Sequence, residues 1–126
     1  MTISLAQLLA IAVGGALGAI SRFLCVAWIT SHVGKGFPWG TLAVNVIGSF
    51  LIGIMYVVIM SKLHLEPEYR AIVVTGFLGA FTTFSTFSLE SFELFHQGQI
   101  GVAFTYIGTS VILCVLAVWA GTALAR

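Results

Sequence analysis

The chain has 126 residues, 60% hydrophobic and 7% charged, with a formal net charge of +1, and its mean hydropathy is +1.12. Soluble domains carry roughly 25% charged residues, so this composition excludes a water-solvated globule and points to an integral membrane protein. Near-neutral charge without a Lys/Arg cluster also excludes a nucleic-acid footprint or a tail for anionic lipid.

A bilayer core takes about 20 apolar residues per helix, and four stretches are long enough: 3–30, 39–60, 70–95 and 100–125. The first lacks a basic leading region, and its apolar run is longer than the core of a secretion signal. It reads as a retained span. Gly14-x-x-x-Gly18 on this span, and glycines 48, 53, 108 and 121 further on, permit close helix contact. Arg22 follows Ile3 by about 19 residues, roughly 28 Å along a helix. It either snorkels to the interface or reaches a vestibule where it attracts anions. Nothing acidic stands one turn away to neutralise it.

SHVGKGFP (31–38) leads to the second span, which holds Asn45 in TLAVNVIGSF. A carboxamide offers two donors and an acceptor, for an interhelical hydrogen bond or for the lining of a pore. SKLHLEPEY (61–69) follows, and Pro38 and Pro67 sit in the links, where helix breakers belong.

The third span contains GFLGAFTTFSTFS, residues 76–88. On one continuous helix, Phe77, Phe81, Phe84 and Phe87 cover an arc of about 120°, with Thr82, Ser85 and Thr86 largely opposite. Gly76 and Gly79 precede two adjacent threonines, a place for the helix to break. A break bares backbone groups that membranes tolerate only where something satisfies them, such as an ion bound by carbonyls. Glu90 and Glu93 close the span, as interfacial carboxylates or in a wet vestibule.

HQGQ (96–99) leads to the fourth span, on which Tyr106, Ser110 and Cys114 step by four and share a face. Such a stripe either solvates a moving solute or bonds back to its own helix. Short links make sequential helices antiparallel neighbours within one domain, 1–126. Cys25 and Cys114 both lie in apolar segments, which argues against a structural disulfide. His32, His64 and His96 stand singly in separate loops, and no nucleophile–base pair is suggested.

With four spans both termini share one side, which carries Lys62, Arg70 and Arg126, partly offset by Glu66 and Glu68. The other side has Lys35, and Arg22 if it reaches the interface. So weak a Lys/Arg bias leaves both orientations open, and with them an antiparallel homodimer. Four helices of one small chain enclose little interior, so a solute path most easily needs a second copy. Hydroxyl and amide donors replace the hydration of an anion, and the positive edges of phenyl rings can contact one. No acid lies mid-span to support proton-coupled antiport. The residues lean toward a path for a small anion.

GGALGAISR, WGTLAVNVIGSF and above all GFLGAFTTFSTFS resemble the Fluc family of fluoride channels, also called CrcB proteins, across all four spans. The resemblance implies an all-α, antiparallel, dual-topology homodimer in the bacterial cytoplasmic membrane. Each subunit has four transmembrane helices, the third broken near its middle. Fluoride leaves passively by two pores. By position, Phe84 and Phe87 match the rings whose edges contact fluoride, and Asn45 the pore-lining amide. Tyr106 and Ser110 match a polar track; Ser85, Thr86 and Ser88 match the hydroxyls after the break. Glu90 with Thr41 matches a polar group farther along, and Arg22 the basic vestibule residue. A structural Na⁺ at the dimer interface would be held by the backbone carbonyls of Gly79 and Thr82 from each subunit. Cys114 departs from the serine expected there and is a poorer donor. The competing class is a small dual-topology exporter resembling the small multidrug resistance proteins. Those use a first-helix glutamate, and this first helix has no acid. A non-transporting scaffold subunit is the third class.

Overall fold

The computed structural model describes residues 2–62 and 66–126; His64 lies outside the described residues, whereas His32 and His96, expected in loops, fall in the last turns of helices. Helix α1 (Leu5–Val33) begins where Ser4 and Gln7 cap one another. Ser4 Oγ accepts from the Gln7 amide at 3.0 Å, while Gln7 Oε1 accepts from the Ser4 amide at 3.1 Å. The two bonds satisfy donors that a helix start leaves bare. The helix continues past Thr30 to Val33 and ends at Gly34, which takes φ 83°.

Helix α2 (Trp39–Val57) starts directly after Pro38, and a wider π-helical turn, Val58–Lys62, extends it. Helix α3 is composite: Pro67–Arg70, a π-helical stretch Ala71–Leu78, and a last α turn Gly79–Phe81. Thr82 (φ −91°, ψ 161°) and Thr83 (φ −152°, ψ 121°) are extended, and helix α4 (Phe84–His96) follows. A tight link with Gly98 at φ 80° leads to α5 (Ile100–Ala125). All regular structure among the described residues is helical. Leu5–Val33, Trp39–Lys62, Ile72–His96 and Ile100–Ala125 are each long and apolar enough to cross a membrane.

The continuous wheel for the third span is replaced by two helices with different phase. Phe77 and Phe81 on α3 stack nearly parallel, centroids 5.9 Å apart, and Phe84 and Phe87 on α4 form a separate tilted pair at 5.5 Å. The physical reason is that π turns hold more residues than α turns, and two extended residues advance the chain without helical rotation. A 100° step carried through residues 77–87 therefore misplaces the second pair. Phe84 is 78% exposed, whereas Phe87 is buried.

Glycine determines where the helices cross. A Cβ on Gly18 would fall 2.3 Å from the Phe77 carbonyl oxygen, and one on Gly14 2.9 Å from that of Ile72. These contacts seat α1 against α3. Helices α2 and α5 meet the same way at Gly53 and Gly121. In lipid, where apolar burial drives little, such close backbone approach supplies the packing. A small core of Leu42, Phe87, Leu94, Ala103 and Tyr106 joins α2, α4 and α5. Phe23, Trp28, Phe104 and Trp119 face outward, as suits a protein solvated by acyl chains.

Candidate functional site

The extended pair Thr82–Thr83 leaves helix-end groups that need partners at membrane depth. Thr82 turns back on α3: its amide and its hydroxyl both donate to the Leu78 carbonyl, at 3.1 and 3.0 Å. The Thr83 amide, which would close the next helical turn onto Gly79, instead donates to Asn45 Oδ1 at 2.8 Å. Asn45 Nδ2 returns a bond to the Thr83 carbonyl at 3.0 Å. One side chain of α2 thus satisfies both backbone groups of Thr83. Thr83 Oγ1 in turn caps α4, accepting from the Thr86 amide at 3.3 Å. Arg22 Nε, on α1, donates to the Ala80 carbonyl at 3.0 Å.

Two clefts open beside this interruption, and Thr83 lines both. The first, of 330 Å³, is bounded by Asn45, Gly48, Gly79, Thr82, Phe84, Phe87, Ser110 and Cys114 among others. Its walls are mostly apolar. Ser110 is only 5% exposed, and among the described residues its Oγ has no hydrogen-bond partner. A buried hydroxyl without a partner is uncommon. The second cleft, of 480 Å³, takes Arg22, Lys35, Thr41, Thr86 and Glu90. Two cations against one carboxylate give it a positive balance, which raises the local concentration of anions.

Glu90 joins three elements. Thr41 Oγ1 of α2 donates to its Oε2, and the Tyr106 hydroxyl of α5 donates to its Oε1, each at 3.0 Å. Tyr106 is wholly buried and lines neither of these clefts; its ring lies 5.1 Å from that of Phe87. It therefore connects the carboxylate of the second cleft to a ring of the first.

Of the residues singled out from sequence, Asn45, Phe84, Phe87 and Ser110 meet around the first cleft, with Gly79 and Thr82 in its wall. Arg22, Thr41, Thr86 and Glu90 meet around the second. Ser85 and Ser88 are exposed and line neither; Ser88 Oγ donates to the Phe84 carbonyl of its own helix at 2.9 Å. Cys114 sits in the first cleft, one turn past Ser110. Two contributors were visible in the sequence but not read as site residues. Thr83 holds the interruption together, its only signal being its place beside Thr82. Lys35, a loop cation between two glycines, lines the second cleft and also a third, of 340 Å³, with Glu90 and Glu93.

No three His, Cys, Asp or Glu side chains converge as metal ligands among the described residues. Backbone carbonyls are the other oxygen source. Gly79 has lost the Thr83 amide as its helical donor, and both Gly79 and Thr82 border the first cleft. Neutral oxygens of this kind fit a hard alkali cation.

Four membrane-capable helices, with two clefts flanking an interrupted span, define a multi-pass membrane protein. Residues 9–122 match the family described as CrcB-like protein, Camphor Resistance (CrcB), and the chain belongs to that family. It is 54% identical over 123 residues to the Fluoride-specific ion channel FluC of Hahella chejuensis, covering 98% of this chain and 97% of that one. A protein of the same name from Agrobacterium fabrum is 47% identical over 116 residues, 92% and 93% of the two chains. Another from Rhizobium meliloti is 49% identical over 120 residues, 95% and 96%. The protein is a multi-pass bacterial membrane protein.

Proposed function

We propose that this chain is a fluoride channel, not an enzyme, that lets the ion leave the cell passively across the cytoplasmic membrane. The observation that carries this is likeness over nearly the whole length to proteins named fluoride-specific ion channels. The chemistry of the clefts supports it. Arg22 and Lys35 collect anions in the second cleft, and the hydroxyls of Thr41 and Thr86 stand beside them. In the first cleft Ser110 offers a free donor, and Phe84 and Phe87 can turn their positive ring edges to a small anion. Hydrogen fluoride is a weak acid that crosses lipid when neutral and ionises inside, so a passive exit for the anion lowers cytoplasmic fluoride.

The working unit is an antiparallel, dual-topology homodimer with two pores. One subunit leaves Phe84 78% exposed and Gly79 bare at membrane depth. Backbone at that depth needs cover, and a second copy supplies it. The third span acts as a broken helix, and the Gly79 and Thr82 carbonyls of both subunits hold a central Na⁺. The ion would serve as a fixed structural charge that ties the two interruptions together. On α5, Tyr106 orients Glu90, Ser110 contacts the ion, and Cys114 continues the track as a weaker donor. Ser85 and Ser88 would join the path only through the paired subunit's surface.

The test is fluoride efflux from proteoliposomes, with chloride as control. Selective fluoride efflux is the expected outcome; equal fluoride and chloride rates, or no flux from purified protein, overturn the assignment. Reconstitution with sodium replaced on both sides should lower the efflux rate, and unchanged flux would remove the sodium claim. Cys114 borders the first cleft, whereas Cys25 borders none of the three clefts. A small methanethiosulfonate should therefore cut efflux several-fold in the native protein and in Cys25→Ser. Cys114→Ser should be insensitive, as measured by the same electrode trace before and after reagent.

A further inference from the structure

The last carbonyls of a helix have no intrahelical donors, and inside a membrane water does not replace them. At the end of α3 the Leu78 carbonyl takes the amide and hydroxyl of Thr82. The Ala80 carbonyl takes Arg22 Nε, from a residue 58 positions earlier in the chain. On the other side of the interruption Asn45 holds Thr83. The extended segment is therefore pinned at both ends by side chains from two other helices. Ala80 stands between Gly79 and Phe81, two residues before Thr82, so the Arg22 bond bears on the backbone that walls the first cleft. Arg22 itself lines the second cleft. Its other guanidinium N–H groups make no hydrogen bond to the described residues.

We propose that Arg22 is a positioning residue, whose Nε–H caps α3 at Ala80 and fixes the first-cleft backbone, a task separate from any attraction of its charge for anions. A bond from a charged donor is about twice as strong as a neutral one, and here its loss would leave a carbonyl unsatisfied at membrane depth. The cap explains why a cation lies close to the interruption with no acidic partner among its hydrogen bonds: the carbonyl is its partner.

Three substitutions separate the two tasks by bond count. Glutamine Nε2 stands as many bonds from the backbone as arginine Nε, so Arg22→Gln keeps an N–H donor at that place and removes the charge. Arg22→Lys keeps the charge and moves the donor one bond outward. Arg22→Met removes both. Fluoride efflux would be measured at low and high concentrations of an impermeant salt, since exposed charges are screened beyond about 10 Å at 0.1 M. At high salt Arg22→Gln should run at least about fivefold faster than Arg22→Met, which falls by roughly tenfold or more. At low salt Arg22→Gln should fall too, because the charge is gone.

The flux measurements rest on the channel proposal; hydrogen exchange at the amides of Thr82 and Thr83 does not. Those amides should remain protected in Arg22→Gln and exchange about tenfold faster in Arg22→Met. Equal damage in the glutamine and methionine variants, in flux at high salt and in exchange, would overturn the cap. So would native exchange in Arg22→Met. If the methionine variant does not fold, Arg22→Lys decides: rates at high salt at or above those of Arg22→Gln would show that charge alone suffices. Native protein without fluoride efflux would sink the channel proposal and leave the exchange result to judge the cap.

Discussion

Exchange of Asn45 for leucine is expected to lower fluoride efflux by at least about thirtyfold. The side chain makes two bonds to one peptide unit, accepting from the Thr83 amide at 2.8 Å and donating to the Thr83 carbonyl at 3.0 Å. Leucine is of similar size but offers neither group. Each buried backbone group left without a partner costs about 1–3 kcal/mol, and about 2 kcal/mol is already near thirtyfold in the population of a competent state. Asn45→Asp gives a sharper result. The carboxylate still accepts from the Thr83 amide, but it cannot donate to the carbonyl and it brings negative charge to an anion path. Its efflux should fall with the leucine variant even where its folded yield does not. The measurement is initial efflux rate per folded protein, with folding judged by size-exclusion profile. Native rates in Asn45→Leu would show that the interruption does not depend on this bridge.

The second large effect is on folding. A Cβ on Gly121 would stand 2.2 Å from the Phe50 carbonyl oxygen, and one on Gly53 2.3 Å from that of Val118. Both obstacles are backbone, so no side chain can rotate away, and α2 and α5 must move apart. Overpacking of this kind costs about 1–3 kcal/mol, against a total stability of about 5–15 kcal/mol. Gly121→Ala should therefore lower the thermal midpoint in detergent by several degrees, and Gly121→Leu should yield little folded protein. Because both glycines serve one crossing, the double alanine variant should cost less than the sum of the singles. Gly108→Ala is the control: its Cβ would meet nothing within 4 Å, and alanine favours the helix. A midpoint for Gly121→Ala equal to that of Gly108→Ala would refute the crossing argument.

Much of the architecture was legible because it is local. Runs of apolar residues between Pro38, Pro67 and the glycine-containing links mark four spans, and the helix at Ile100–Ala125 coincides with the stretch read from sequence. The ends differ where a cap intervenes: Ser4 delays the start of α1, and Gly34 postpones its end. The phenylalanine stripe was misread for a different reason. A wheel assumes one rotation per residue, and π turns and the extended threonines between residues 71 and 83 break that assumption.

The site was legible as a set of residue types but not as a set of partners. Asn45 left two readings open, an interhelical hydrogen bond or a pore-lining amide; its side chain bonds Thr83, 38 positions away, and also borders the first cleft. Tyr106, Ser110 and Cys114 looked like one stripe, yet Tyr106 turns to Glu90 while Ser110 and Cys114 face the first cleft. By itself the sequence determined that this is a four-span membrane protein carrying the motifs of its family, since transfer of apolar side chains into lipid adds up residue by residue along a segment. Which carbonyl meets Arg22, which peptide meets Asn45, and which hydroxyl stays free were decided only in three dimensions. A hydrogen bond forms only where donor and acceptor come within about 3 Å, and the glycine crossings of α1 with α3 and of α2 with α5 set those approaches.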